Sequence, residues 1–245
     1  MTLEPDGTAR PFHTQFYGRR LSRPLRPNRR AALLERLPAR SIELADDGAL
    51  IEPATLFPRA KSEVWLEIGF GAGEHLIKRA QARPDVGFIG CEPYVNGVAA
   101  LVSRAEAMAL GHIRVFADDA RLLLDRLRPA TIARVFILFP DPWPKKRHHR
   151  RRLIQPDIVR HLARILIDGG VLLFATDNMD YARWALNCVT ANSDFSWLAR
   201  RPADWREQPQ GWETTRYEAK AQARGERCVY LSFLRRATVP AVPLR

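Results

Sequence analysis

The feature that most constrains this 245-residue chain is an alternation that begins at residue 64. Apolar runs of strand length recur there: VWLEI (64–68), VGFIGC (86–91), IRVFA (113–117), RVFILF (134–139) and GVLLFAT (170–176). Between them lie helix-compatible stretches, including residues 95–110, 121–127 and 157–167. In the last of these, Ile158, Leu162, Ile165 and Leu166 form a stripe at helical spacing, and Pro156 suits the first turn. Strands this apolar are buried on both faces. Strands alternating with helices close through right-handed crossovers into a mostly parallel sheet covered on both sides. The predicted class is therefore α/β. In such a sheet a ligand sits outside the carboxyl ends of the strands, so the informative residues belong there.

Upstream, residues 1–27 carry Pro5, Pro11, Pro24 and Pro27 with Arg10, Arg19, Arg20, Arg23 and Arg26, and show little periodicity. They read as a flexible basic arm. Asn28 is expected to cap a short helix with Leu33, Leu34 and Leu37 on one face, stopped by Pro38. A single domain is expected over 28–236, with 237–245 as a frayed tail.

The first strand runs into LEIGFGAGEHL (66–76), whose Gly69, Gly71 and Gly73 allow a tight turn and close approach of a ligand. A dinucleotide fingerprint would need glycine at position 74, where this chain has Glu74. Glu67, just before the turn, would repel a pyrophosphate but suits a cationic amino-acid ligand. Spacing and charge thus favour S-adenosylmethionine over NAD, although such a turn can also be purely structural. The second strand ends in Cys91-Glu92-Pro93, with an acid about 20 residues after the glycine turn, where ribose hydroxyls are gripped. The third is followed by Asp118-Asp119-Ala120, an acid placed to accept from an adenine amine. Each acid alone could be a helix cap or a loop charge. Three at successive strand ends describe a pocket for an adenosine and a sulfonium.

The fourth strand enters FPDPWPKKRHHRRRL (139–153). Its prolines should hold the loop in extended, restricted conformations and present Asp141 and Trp143 rigidly. Trp143 suits stacking on a base or cofactor and packing of the proline loop equally well. Lys145, Lys146, Arg147, Arg150, Arg151 and Arg152 follow with no acid among them. Beside a cofactor cleft, such a ridge can hold phosphates while the neighbouring loop meets a base. The adjacent His148 and His149 lack the spacing of metal ligands, and no metal is expected.

Composition agrees with a polyanionic partner. The chain has 39 Lys and Arg against 27 Asp and Glu, a net charge of +12, and only five of those bases are lysine. Nucleic acid fits better than membrane, since no apolar run approaches the roughly 20 residues of a spanning helix. The opening residues lack the apolar stretch of a signal peptide. Cys91, Cys188 and Cys228 suit neither a disulfide framework nor a zinc site, as expected of a cytoplasmic protein.

Taken in order, LEIGFGAG, IGCEP, DDA, FPDPWPKKRHHRRRL, ATD (175–177) and TTRYE (214–218) resemble the motifs of the bacterial tRNA (guanine-N7)-methyltransferases, over most of the chain. The proline loop followed by a basic run is the specific element. The glycine loop alone would say only "methyltransferase". The resemblance implies a Rossmann-like methyltransferase fold: a mostly parallel seven-stranded sheet with one antiparallel strand, for which RCVYLSFLR (227–235) is suitable. It implies S-adenosylmethionine held by Glu67, Gly69, Gly71, Gly73, Glu92, Asp119 and Asp141, with Asp141 also catalytic. It implies a tRNA substrate contacted by Lys145, Asp177, Thr215, Arg216, Tyr217 and Glu218, methylated at N7 of a guanine in the variable loop. Separately from the resemblance, no protein partner is expected to be required, and a monomer is expected. Pro144 and Tyr217 depart from the pattern, which often has His and Phe there. An exocyclic-amine RNA methyltransferase, or a non-catalytic RNA-binding protein on the same fold, are the alternatives.

Overall fold

The computed structural model describes Tyr17, Gly18, Arg20, Leu21, residues 24–212, Thr214 and residues 216–237. Most of the predicted N-terminal arm, Thr215 and all but the first residue of the predicted tail lie outside the described residues.

Seven strands form one sheet: β1 (Glu63–Ile68), β2 (Val86–Cys91), β3 (Ile113–Phe116), β4 (Ile132–Leu138), β5 (Leu166–Thr176), β6 (Phe195–Trp197) and β7 (Val229–Arg235). Their spatial order is β3-β2-β1-β4-β5-β7-β6. Pairing is parallel from β3 through β5, while β7 runs antiparallel to both β5 and β6. The helices are α1 (Pro27–Ala31), α2 (Glu74–Ala82), α3 (Val95–Ala107), α4 (Ala120–Arg126), α5 (Pro156–Ile165), α6 (Met179–Thr190), α7 (Ala203–Arg206) and α8 (Arg216–Ala223). The strand order reverses between β1 and β4, which opens a crevice at their carboxyl ends.

Strand pleating divides the core between the two faces. Val64, Leu66 and Ile68 of β1 pack in one cluster with Ile158 and Leu162 of α5 and Phe174 of β5. Trp65, between them in sequence, points the other way and packs with Phe88, Val98, Leu101 and Phe136. Both faces are apolar because both are covered, which is why these strands read as continuous apolar runs.

Several boundaries differ from expectation. Leu166 does not extend the α5 stripe but opens β5, pairing with Ile132 of β4. α1 begins at Pro27, with Arg26 rather than Asn28 at the cap and no capping side chain, since proline's fixed φ starts the turn unaided. Leu33 and Leu37 pack on the core, but Leu34 is 69% exposed. The helix widens over Ala32–Arg36, where the Leu37 amide reaches back to the Ala32 carbonyl, which turns Leu34 off the shared face. The strand β6, three residues long, gave no signal in the sequence.

Candidate active site

The crevice is a cavity of about 630 Å³, lined by the carboxyl ends of β1, β2 and β4, the segments that follow β1 to β4, the start of α5, Tyr217, and Tyr17 and Gly18. The β1 loop is shaped by its glycines. Gly71 has φ +56°, and its carbonyl lies where a side chain on Gly97 of α3 would stand, 2.2 Å from an ideal Cβ. Only glycine at position 97 lets α3 pack so close to this loop. Gly73 caps α2 in a left-handed conformation and faces Leu101 of α3, away from the cavity.

Glu67, Glu92, Asp119 and Asp141 all line the cavity. Glu67 is 6% exposed, and its Oε2 lies 2.7 Å from Nδ1 of His75 on α2. The Glu92 carboxylate accepts from the backbone N–H of Gly71 (2.7 Å) and of Tyr94 (3.0 Å), so it holds the glycine loop in place. Burial raises its pKa to about 7 against the pull of those two amides, and the neighbouring charges of Asp141 and Glu67 push the same way. Asp119 caps α4 by accepting from the Arg121 amide (3.0 Å), and the Arg121 guanidinium also donates to it (2.9 Å). Beside it, Asp118 pairs with Arg20 at 2.6 Å, tying the segment after Tyr17 to the rim.

The proline loop departs from the expected extended conformation. Phe139 and Trp143, each preceding a proline, have φ of +51° and +43°. Bulky residues adopt such angles at a cost of about 1–3 kcal/mol each. The loop is pinned from both ends. The Phe139 amide donates to the Ala175 carbonyl of β5 (2.8 Å), and Arg152 Nε donates to the Pro142 carbonyl (2.9 Å). Asp141, between them, is exposed at the cavity edge.

The basic run therefore does not form one ridge. Arg152 is 2% exposed, donates to Asp180 of α6, and lies over the rings of Tyr181 and Trp184 at 5.0 and 5.3 Å. Arg151 lies over Tyr17 and Trp143, 4.6 and 5.0 Å from their centroids. Lys145, Lys146, Arg147 and Arg150 are the members exposed to solvent, on or beside a short 3-10 turn, Lys146–Arg151. His149 faces Trp184 and Asp180, and His148 faces Trp143.

The TTRYE segment divides similarly. Tyr217 lies at the mouth of the cavity, 61% exposed, with its ring over Gly71. Glu218 is fully buried and accepts from Trp212 Nε1 (2.6 Å), Gln208 Nε2 (2.7 Å) and the Tyr230 hydroxyl. Asp177 follows β5 and pairs with Arg224 at 3.6 Å. Gly73, Lys145, Asp177 and Glu218 do not line the cavity. His75, Gly97, Arg121 and Tyr17 are site residues that sequence reasoning missed. His75 carried a faint signal, one position after the acid that breaks the dinucleotide fingerprint.

A family model described as "Putative methyltransferase" matches residues 61–231. A tRNA (guanine-N(7)-)-methyltransferase of Rhodospirillum rubrum is 48% identical over 91% of this chain and 88% of its own. One from Azorhizobium caulinodans is 46% identical over 90% of this chain and 94% of its own. The chain belongs to the tRNA (guanine-N7)-methyltransferase family. Solved structures share its fold at much lower identity. The 16S rRNA methyltransferase KamB has a TM-score of 0.52 at 16% identity, covering 72% of this chain and 89% of that one. An antibiotic-related methyltransferase has a TM-score of 0.52 at 16% identity, covering 82% and 98%. The seven-stranded sheet with its single antiparallel strand is thus the methyltransferase sheet that the motifs implied.

Proposed function

We propose that this chain transfers a methyl group from S-adenosylmethionine to N7 of a guanine in the tRNA variable loop. The observation that carries the proposal is the convergence of Glu67, Glu92, Asp119 and Asp141 on one cavity, bordered by the proline loop and an exposed basic turn. The lining fits the donor. It offers acids to a ligand that is positive at both sulfonium and ammonium, and a backbone approach at Gly69, around whose α-carbon there is open space. Glu67 faces the methionine end, Glu92 accepts from the ribose hydroxyls, and Asp119 accepts from the adenine amine. Gly69 and Gly71 let the ligand lie against the loop.

S-adenosylmethionine supplies a methyl group activated by its positive sulfur. Guanine N7 is a bare acceptor with no proton to remove, so the protein needs no general base. Its task is alignment of nitrogen, carbon and sulfur, and stabilisation of the positive charge that moves onto the purine. Asp141, fixed by a loop pinned at both ends, meets that charge as a preorganised anion. Lys145, Lys146, Arg147 and Arg150 supply phosphate contacts, which position the RNA. Tyr217 meets the substrate at the cavity mouth, and Thr215 and Arg216, the two residues before it in the sequence, are assigned to the same substrate. Glu218 serves the same segment from beneath, by fixing α8, and Asp177 borders it through Arg224. The family names of the relatives and the net charge of +12 support tRNA as the polyanion.

Incubation of the protein with unmodified tRNA and labelled S-adenosylmethionine, followed by nucleoside mass spectrometry, tests the proposal. N7-methylguanosine is expected, and it makes the chain scissile with borohydride and aniline where an exocyclic methylamine would not. Its absence across a full tRNA pool overturns the assignment.

A further inference from the structure

We infer that His75 is a positioning residue for Glu67, setting the carboxylate that receives the cationic end of the methyl donor; this rests on the proposed role of Glu67. His75 is 3% exposed, yet both ring nitrogens are engaged. Arg79 Nε donates to His75 Nε2 at 3.2 Å, so Nε2 is the acceptor and the proton sits on Nδ1. That Nδ1–H donates to Glu67 Oε2 at 2.7 Å. The ring is held as well as bonded. Its centroid lies 5.0 Å from that of Phe136 on β4 and 5.5 Å from that of Trp212. Trp212 is fixed in turn by its indole N–H on buried Glu218 and by an edge contact to Tyr230.

The consequence for Glu67 is chemical. One carboxylate oxygen is tied by a directed donor, while Oε1 has no hydrogen-bond partner among the described residues, and the residue lines the cavity. The plane of the carboxylate is therefore set before the ligand arrives, with an acceptor left for it. Without His75, a nearly buried carboxylate would lose its protein donor and the fixed orientation of that acceptor. The same contacts join the cofactor acid to the segment carrying Tyr217, because Trp212 touches both His75 and Glu218.

The test measures cofactor affinity by calorimetry, and cofactor KM and kcat with unmodified tRNA, on the full chain. His75→Phe keeps an aromatic ring but removes the donor. It should weaken cofactor binding roughly ten- to a hundredfold, with the loss falling on KM more than on kcat. His75→Asn, whose amide lies at the Nδ1 side, should recover most of the affinity; His75→Gln, whose amide lies at the Nε2 side, should not. Glu67→Gln added to His75→Phe should cost little more than either change alone. Normal affinity in His75→Phe alongside weak binding in Glu67→Gln overturns the role of His75 and spares that of Glu67. Equal losses in all three His75 variants, tracking thermal stability, also overturn it, because a purely structural histidine would behave so. Normal affinity in Glu67→Gln refutes the underlying reading of Glu67 instead.

Discussion

Replacing Arg152 with glutamine should separate the two halves of the basic run. Its Nε–H on the Pro142 carbonyl is a charge-assisted hydrogen bond, worth about 1.5–3 kcal/mol. The two aromatic faces add about 0.5–1 kcal/mol each. The Asp180 contact adds little, because that carboxylate is 61% exposed. Against these stands Arg152 Nη1, buried with no hydrogen-bond partner among the described residues, whose loss returns about 1–3 kcal/mol. The net loss is about 2 kcal/mol, or roughly 4–8 °C in Tm for a chain of this length. The arginine also restrains the loop that presents Asp141, so methyl transfer should slow at temperatures where the variant is fully folded. Arg147→Gln is the matched control. It is exposed, so Tm should stay put, while the slope of log affinity for tRNA against log salt should fall by about 0.7–0.9. Thermal denaturation by circular dichroism, with tRNA binding titrated across salt concentrations, reads both quantities. A glutamine at 152 that leaves Tm unchanged and lowers the salt slope as at 147 would refute the buried-strut account and restore a continuous ridge.

Asp141→Ala should lower single-turnover methyl transfer by about 10²–10³-fold while changing cofactor affinity far less, the signature of a group needed mainly in the transition state. Near-normal rates at saturation would sink it. Glu92 has its pKa held near 7, above its ordinary value of 4.5, so the folded state favours its neutral form. Its contribution to stability is full below about pH 4.5 and is lost as pH rises through about 7. Cofactor binding needs the ionised acceptor, so affinity should climb between about pH 6 and 8, and Glu92→Gln should flatten that climb. A wild-type profile that is flat over this range contradicts the assignment. Gly97→Ala puts a methyl group 2.2 Å from the Gly71 carbonyl. The loop must shift, so cofactor affinity should fall well beyond the effect on Tm; Gly111→Ala, with open space around it, is the control.

Much of this protein was legible before folding. Each of the five apolar runs became a parallel strand, because burial on both faces writes itself as uninterrupted hydrophobicity. The acids fell at strand ends for a related reason: a parallel sheet gathers the loops after its strands onto one edge, so Glu67, Glu92, Asp119 and Asp141 meet although 74 positions separate the first from the last. The sequence also carried the chemistry of those positions, since charge and backbone freedom belong to residue types. It did not carry the division of labour within a run of like residues. Arg147 and Arg152 look equivalent in KKRHHRRR, yet one faces water and the other is buried over Tyr181 and Trp184 from a helix almost thirty residues further on. Tyr217 and Glu218 are neighbours in TTRYE, yet one meets the cavity and the other closes a hydrogen-bond cluster beneath it. His75 became a site residue only when Arg79, Glu67, Phe136 and Trp212 surrounded it. Local pattern determines what a side chain can do, and burial by distant segments decides which of those things it does.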